Sequence, residues 1–388
     1  MQYKWIKNAA KISSDYTFIH FYDEFNQKIE PNTLPENLTT LTFGEDFNRK
    51  IKPNTLPENL TSLTFGDKFN RKIEPNTLPK NLTTLIFGYY FNQKIEPNTL
   101  PENLTSLTFD EDFNRKIKPN TLPENLITLT FGDKFNRKIE PNTLPEKLTT
   151  LIFGIEFNQK IEPNTLPKNI TTLNFEYHFN QKIEPTILPE KLTNLTFGWK
   201  FNQIIEPNTL PKNLISLAFE GYFNQKIEPN TLPKKLTILT FGSDFNQKLE
   251  QYSLPENLTT LTFGYKFNQK IYSEMLPSNL KNINFNWIFS NWIFSNWIYF
   301  DTISVKQYIE MVNNIPNYYH VKIFFKNDIL DIDGSKWPIH VVDYKKREWS
   351  SEIYEIQDEY THPIHGSTTI LINKETYQPY SSAKSALK

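Results

Sequence analysis

The sequence predicts a mainly β fold, a parallel solenoid of about twelve 22-residue coils, with a small α+β region at the C-terminal end. Three observations predict this fold. A Phe-Asn pair recurs every 22 residues without insertion or deletion, and apolar and polar residues alternate before it. Every unit also contains proline. A unit this short cannot bury its own apolar face, whereas stacked units can bury a shared one. The pairs begin at Phe25, Phe47, Phe69, Phe91, Phe113, Phe135, Phe157, Phe179, Phe201, Phe223, Phe245 and Phe267.

Each unit contains one short strand. Leu41, Thr42 and Phe43 alternate apolar, polar and apolar, which is the two-residue period of a strand. The polar member is a threonine, whose β-branched side chain suits an exposed strand face. We therefore expect Leu38, Leu41, Phe43, Phe47 and Ile51, with their equivalents in the other units, to form the core.

The other half of most units carries two prolines, for example Pro53 and Pro57. Proline lacks the backbone N–H that a helix needs, and it favours extended or turn geometry in the residue before it. The convex side of the solenoid is therefore predicted to be non-helical. The nearly constant sequence Pro-Asn-Thr-Leu-Pro predicts a defined turn at this position.

The composition excludes several classes of function. The net charge of −1 provides no field that would attract nucleic acid or an acidic membrane surface, and the absence of cysteine excludes disulfides and thiolate zinc sites. Nowhere do 18 apolar residues run together, and residues 1–15 contain no apolar run typical of a signal peptide. We expect a cytoplasmic protein, in the host cell cytoplasm if it is viral.

The unit resembles the FNIP repeat, a relative of the leucine-rich repeat of about 22 residues. The resemblance lies in Phe47-Asn48, Ile51, Leu56-Pro57 and the strand pattern Leu60-x-x-Leu63-x-Phe65, and it covers roughly residues 20 to 285. Such repeats are abundant in social amoebae and in giant viruses of amoebae. The resemblance implies a leucine-rich-repeat-like solenoid. Some family members carry an N-terminal F-box, but only about twenty residues precede the first repeat here, too few for that domain.

Equivalent positions of successive units should lie above one another in the stack, and we call each such set a column. Two of these columns are polar. An asparagine such as Asn48 follows each phenylalanine of the Phe-Asn pairs. We interpret its side-chain amide as a hydrogen-bond partner for buried backbone groups. The alternative, a row of surface amides that bind a ligand, is less favoured. Lysine recurs at eleven of the twelve units, Ile204 being the exception, and a glutamate usually follows two residues later. This pattern predicts a solvated charge ladder.

The two residues before each Phe-Asn pair vary from unit to unit, and we call these positions the rim. They follow the strand, so they should line one edge of the concave face, which is where repeat proteins usually place specificity. Large aromatic residues at a polar surface are typical of interface anchors, although neutral drift at a tolerant loop would also produce variation. The candidate partner-binding residues are Tyr89, Tyr90, Tyr177, His178, Trp199, Tyr222 and Tyr265.

The predicted domain boundaries are an N-terminal cap at 1–20, the repeat solenoid at 21–285, a Trp-rich Asn-Trp-Ile-Phe-Ser microrepeat at 286–300, and a C-terminal domain or cap at 301–388. In the last region, 304–312 reads as a helix, and 319–325, 339–344 and 368–372 read as strands.

The sequence indicates no catalytic site, metal or cofactor. Asp331 and Asp333 lack the remaining ligands of a calcium loop, and His362 and His365 lack a third ligand at useful spacing. The prediction is a non-catalytic protein-interaction scaffold that takes a protein partner and no nucleic acid, membrane or small-molecule substrate. Two alternatives stay open: an enzyme with an unrecognised site in the C-terminal region, and a structural product of repeat expansion without a specific ligand.

Overall fold

The computed structural model describes residues 3–7, 12–13, 15–264, 266–267, 269, 271–272, 275–286, 296–300, 321–325, 339–340 and 353–354. The chain divides into two compact units, Met1–Leu214 and Ile215–Lys388, which are described separately.

The first unit is a stack of parallel strands, one for each coil. The first two strands pair at a register of 15 residues, with Tyr3 opposite Phe18. From the second strand onward the register is 22 residues, so that Leu41 lies opposite Leu63 and Leu63 opposite Leu85. The strands are β1 (Tyr3–Ile6), β2 (Phe18–Phe21), β3 (Thr40–Thr42), β4 (Ser62–Thr64), β5 (Thr84–Ile86), β6 (Ser106–Thr108), β7 (Thr128–Thr130), β8 (Thr150–Phe153), β9 (Thr172–Phe175) and β10 (Asn194–Phe197).

The second unit continues the same pattern. Its strands β11 (Ser216–Phe219), β12 (Ile238–Thr240), β13 (Thr260–Gly264) and β15 (Asn282–Asn286) pair in parallel with the same register. A second parallel sheet joins β14 (Ile271–Tyr272), β16 (Asn296–Phe300) and β17 (Val321–Phe325). The last two strands, β18 (Ile339–His340) and β19 (Ile353–Tyr354), form an antiparallel pair.

The core consists of columns of identical side chains. The predicted core residues Leu38, Leu41, Phe43, Phe47 and Ile51 are all buried, as are their equivalents in the neighbouring coils. Within one coil the rings of Phe43 and Phe47 stack with centroids 3.8 Å apart, and Phe43 lies 5.6 Å from the equivalent ring of the next coil. Burial of each such ring contributes roughly 2 kcal/mol, so the stack of coils supplies the stability that a single coil lacks.

The Pro-Asn-Thr segment forms a tight turn that depends on a left-handed asparagine. Asn54 has a φ of 60°, and the Thr55 amide donates to the Lys52 carbonyl at 3.3 Å, which closes the turn. Proline followed by a residue with positive φ is the signature of a type II turn, and asparagine tolerates this conformation better than other side chains. Thr186 and Tyr252 occupy the same left-handed position in their coils.

Polar side chains repeat on the outside of the stack. The Asn48 amide donates to Oδ1 of Asn26 in the preceding coil at 3.0 Å, and this bond recurs along the column. The predicted amide ladder is therefore present, with half-buried rather than buried side chains. Lys72 and Glu74 form one of the surface ion pairs of the predicted charge ladder, at 3.2 Å.

These observations confirm the predicted leucine-rich-repeat-like parallel solenoid. Residues 15–264, which the structure describes without a gap, contain no helix, in agreement with the predicted non-helical convex side. Strands β17 and β18 lie within the segments 319–325 and 339–344 that were predicted as strands. The helix predicted at 304–312 and the strand predicted at 368–372 lie outside the described residues, and the predicted domain boundaries stay a prediction.

Candidate binding edge of the solenoid

The rim residues lie in tight turns that stack on one another. In most of these turns the phenylalanine amide donates to the carbonyl three residues earlier, as Phe91 does to the Gly88 carbonyl at 3.1 Å. The turns are also bonded from coil to coil, because the Tyr90 amide donates to the Asp67 carbonyl at 2.8 Å. The backbone of the rim is therefore a regular ladder, and only its side chains change.

Glycine makes this close stacking possible. A Cβ atom placed on Gly88 would lie 2.3 Å from the carbonyl oxygen of Gly66 in the preceding coil, which is far inside van der Waals contact. The neighbouring atom belongs to the backbone of a bonded ladder, so it cannot move away as a flexible side chain could. Glycine permits this close approach in most coils, whereas Asp110, Glu176 and Glu220 occupy the same column in three others.

The structure places the predicted aromatic residues at the surface of these turns. In the first unit the exposed fractions are 47% for Tyr90, 38% for Tyr177 and 36% for Trp199. Tyr89 and His178 are half-buried. In the second unit Tyr222 is 44% exposed, whereas Tyr265 lies outside the described residues.

Tyr177 and Trp199 form a preorganised aromatic pair on adjacent coils. Their rings are nearly parallel, at 5°, with centroids 6.1 Å apart. Lys200 Nζ lies 5.5 Å from the Tyr177 ring centroid, and the His178 ring lies 5.1 Å from the same ring. Ring stacking and the cation–π contact restrict the rotamers of both aromatic side chains before any partner binds. The pair therefore presents a large apolar surface and would lose little side-chain entropy on binding.

Tyr89 and Tyr90 form a second aromatic pair within one turn. Their rings meet edge to face, with centroids 4.7 Å apart. A hydrogen bond with the Glu111 carboxylate raises the pKa of Tyr89 to about 12. Lys134 lies 6.0 Å from the Tyr89 ring and forms ion pairs with Glu111 at 3.4 Å and Asp112 at 2.6 Å. Tyr89 is thus fixed by its neighbours, and Tyr90 is the more exposed member.

Carboxylates between the two aromatic pairs were missed by the sequence reasoning. Burial raises the pKa values of Asp110, Asp133 and Glu176, and nearby acidic groups add to the effect. Asp110 and Glu176 occupy the column that is glycine in most coils, and this exception to the repeat is the signal that could have identified them. Between the two aromatic pairs, the rim and the position directly before it are therefore acidic.

Ile155 also belongs to the exposed rim. It lies in the coil before Tyr177 and is exposed, so the first unit presents apolar rim side chains on three consecutive coils. Ile155 occupies a variable rim position, but it is aliphatic and so lies outside the candidate set of aromatic residues.

In the described part of the chain, no three His, Cys, Asp or Glu side chains group together as metal ligands would. No membrane-length apolar helix is found among the residues that the structure describes.

The fold and the variable rim define the chain as a leucine-rich-repeat-like solenoid. The family model of the FNIP repeat matches residues 16–46, 25–68, 47–90, 69–112, 91–127, 113–155, 157–200, 201–244 and 245–287. The chain therefore belongs to the FNIP repeat family, as its residues indicated.

Solved structures support the same fold. The chain is similar to CroV588, described as a novel circular LRR protein, with 38% identity, a TM-score of 0.66 and coverage of 81% of this chain. It spans about half of that protein, 54% of its length. A structure of the Drosophila Toll–Spatzle complex matches 81% of this chain and 48% of that chain at 14% identity and a TM-score of 0.53, which shows the fold alone. No curated protein matches the chain.

Proposed function

We propose that the protein is a non-catalytic scaffold that binds a protein partner through the rim and the adjoining strand face. The observation that carries this proposal is the exposed, prestacked pair of Tyr177 and Trp199. Aromatic side chains of this kind provide much of the energy of protein interfaces. The acidic groups between the aromatic pairs would add specificity for the charge of the partner.

The distribution of variation supports the same proposal. Most of the remaining columns serve the core, the amide ladder or the charge ladder, and a change at a core position would reduce stability. The rim turns have a similar backbone in most coils and variable side chains, so the side chains that would contact a partner differ from those that form the core. A leucine-rich-repeat-like solenoid in complex with a protein occurs in the Toll–Spatzle structure.

The proposal includes no enzyme activity, cofactor, small-molecule substrate, nucleic acid or membrane. It places the protein in the cytoplasm. Tyr222 and Tyr265 of the second unit, with Tyr89 and His178 of the first, are proposed as further contributors to the binding rim.

The test compares partners captured by the full chain and by a rim variant with Tyr90→Ser, Tyr177→Ser and Trp199→Ser. These side chains are the exposed rim aromatics of the first unit, so their replacement should leave the fold intact. Cross-linking mass spectrometry in the native cell would identify the captured protein and map its footprint. We expect cross-links beside the rim, and loss of the partner from the variant.

A matched control removes exposed apolar surface elsewhere, with Ile204→Ser and Tyr252→Ser. These two side chains are 55% and 69% exposed and lie outside the rim. The control should retain the partner. If the rim variant retained the same partners as the wild type, the rim proposal would be wrong. If no protein were captured specifically by the wild type, the repeat-expansion alternative would be favoured.

A further inference from the structure

Four of the five arginines in the chain occupy one column, immediately after the Phe-Asn pair. They form two pairs on adjacent coils: Arg49 with Arg71, and Arg115 with Arg137. We call these the first and second arginine pairs. The second pair lies 66 residues after the first, which is three coils or about 14 Å along the stack.

Each arginine is oriented by the backbone of the preceding coil. Nε of Arg49 donates to the Asn26 carbonyl at 2.9 Å, and Nε of Arg71 donates to the Asn48 carbonyl at 3.0 Å. Arg115 and Arg137 make the equivalent bonds at 2.9 and 3.1 Å. These bonds use only Nε, so the terminal Nη donors of all four exposed guanidinium groups face solvent.

The arginines have no acidic partner in the described residues, since none of the four forms an ion pair there. The surrounding charge is also unbalanced. Segments 49–52 and 71–74 together carry five cationic side chains and one carboxylate, Glu74, which lies 3.7 Å from Lys50 and 3.2 Å from Lys72. The coil between the pairs is neutral, because Gln93 replaces arginine and Lys94 pairs with Glu96 at 2.6 Å.

We propose that the two arginine pairs bind an extended acidic segment of a protein partner. Guanidinium groups bind carboxylates through two parallel hydrogen bonds, and two of them on adjacent coils can hold two neighbouring carboxylates. The spacing of about 14 Å matches roughly four residues of extended peptide. The segment would therefore carry two clusters of Asp or Glu with centres about four residues apart.

The interruption between the pairs disfavours a nucleic acid as the occupant. A nucleic-acid backbone presents an unbroken series of phosphates. One or more of these would lie against the coil between the pairs, which has no arginine and carries Glu96. A peptide with two separated acidic clusters places no charge on that coil.

The repeat itself supplies a conservative test variant. Where other coils have glutamine, its amide donates to the same ladder, as Gln93 Nε2 does to Asn70 Oδ1 at 2.8 Å. The fourfold variant Arg49→Gln, Arg71→Gln, Arg115→Gln and Arg137→Gln should therefore keep the fold, which circular dichroism would check. The fourfold Arg→Lys variant keeps the charge but removes the bidentate geometry.

The probe is a fluorescein-labelled Gly-Ser peptide with two Glu pairs centred about four residues apart, and binding to the full chain is followed by fluorescence anisotropy at physiological ionic strength. We expect the glutamine variant to bind at least about tenfold more weakly, and the lysine variant to fall between it and the wild type. Peptides with the Glu pairs adjacent, or about eight residues apart, should bind the wild type more weakly.

Two results would overturn the proposal. One is affinity of the glutamine variant within about twofold of the wild type, and the other is tighter wild-type binding to oligouridylate of matched length. The rim variant should bind the peptide like the wild type, because the rim and the arginine pairs occupy different columns. Failure of the rim proposal and failure of the arginine proposal are thereby distinguishable.

Discussion

The interior columns and the rim turns differ in what they allow to vary. Every coil repeats the buried residues equivalent to Leu41, Phe43 and Phe47, with rings stacked at nearly the same distance in each copy. The rim reads Tyr-Tyr in one coil, Glu-Asp in the next and Asp-Lys in the one after. Each core side chain packs against copies of itself above and below, so a change there disturbs three coils, whereas a rim side chain meets mainly solvent.

The largest loss of stability should come from removing one ring from the phenylalanine stack. Phe109 is buried, with its ring centroid 3.8 Å from Phe113 and 5.4 Å from Phe87. We expect Phe109→Ala to lower the free energy of unfolding by about 3–5 kcal/mol, because it removes apolar burial and leaves a cavity. The matched control, Tyr90→Ala at the exposed rim, should change it by less than about 0.5 kcal/mol. Urea denaturation measures both, and similar losses for the two variants would contradict the contrast.

A substitution in the glycine column should cause the next largest loss of stability. A Cβ on Gly88 meets the Gly66 carbonyl oxygen at 2.3 Å, so Gly88→Ala should force the bonded turns apart. We expect a loss of roughly 2 kcal/mol in thermal or urea unfolding. Glu45→Ala, in the exposed part of an equivalent turn, is the control and should be almost neutral. An unchanged midpoint for Gly88→Ala would show that the turns can separate at little cost.

The left-handed turn position offers a stabilising change. Thr186 has a φ of 74°, a conformation that is unfavourable for a β-branched residue, whereas asparagine occupies this position in most coils. We expect Thr186→Asn to raise the free energy of unfolding by about 1 kcal/mol, and the reverse change Asn98→Thr to lower it by a similar amount. Two shifts of the same sign in differential scanning fluorimetry would contradict this explanation.

The smallest change in stability should come from three carboxylates, Asp133 in the rim and Asp110 and Glu176 directly before it. Asp110, Asp133 and Glu176 have raised pKa values, so the folded state holds protons more tightly than the unfolded state. Their charges therefore oppose folding above the raised folded values, and this penalty disappears as the pH falls through those values towards the ordinary carboxyl pKa near 4. The combined variant Asp110→Asn, Asp133→Asn and Glu176→Gln should unfold at a slightly higher temperature at pH ~7. Its advantage over the wild type should vanish in the most acidic buffers, and an advantage that persisted there would exclude charge as its origin.

Much of the fold could be predicted from the sequence because it repeats. The period, the strand at Leu41–Phe43 and the buried columns follow from apolar spacing, which each unit displays again. The glycine column could not be predicted in the same way, since its reason is a backbone approach between residues 22 apart. Thr55 and its equivalents are buried, although threonine in a Pro-Asn-Thr turn would ordinarily be assigned to the surface.

The site was predictable only in outline. Variation between units located the rim, but the sequence could not show that Tyr177 and Trp199 stack, or that Tyr89 is held by Glu111 while Tyr90 is exposed. The raised pKa values of Asp110 and Glu176 depend on burial, which spacing does not reveal. The arginine column could be identified in the sequence. The sequence could not show that each arginine uses only Nε to bond the preceding coil and leaves its Nη donors exposed to solvent.

The distance between equivalent positions tests most directly whether the coils stack in register. The chain has no cysteine, so single cysteines can be introduced and spin-labelled in pairs at the exposed Glu58, Glu146 and Glu190, which lie four and six coils apart. Double electron–electron resonance should give about 19 Å for 58 with 146 and about 29 Å for 58 with 190, before allowance for the labels, because each coil adds about 4.8 Å. Distances that did not increase in proportion to the number of coils would contradict the stacked columns on which the core, the rim and the arginine pairs all depend.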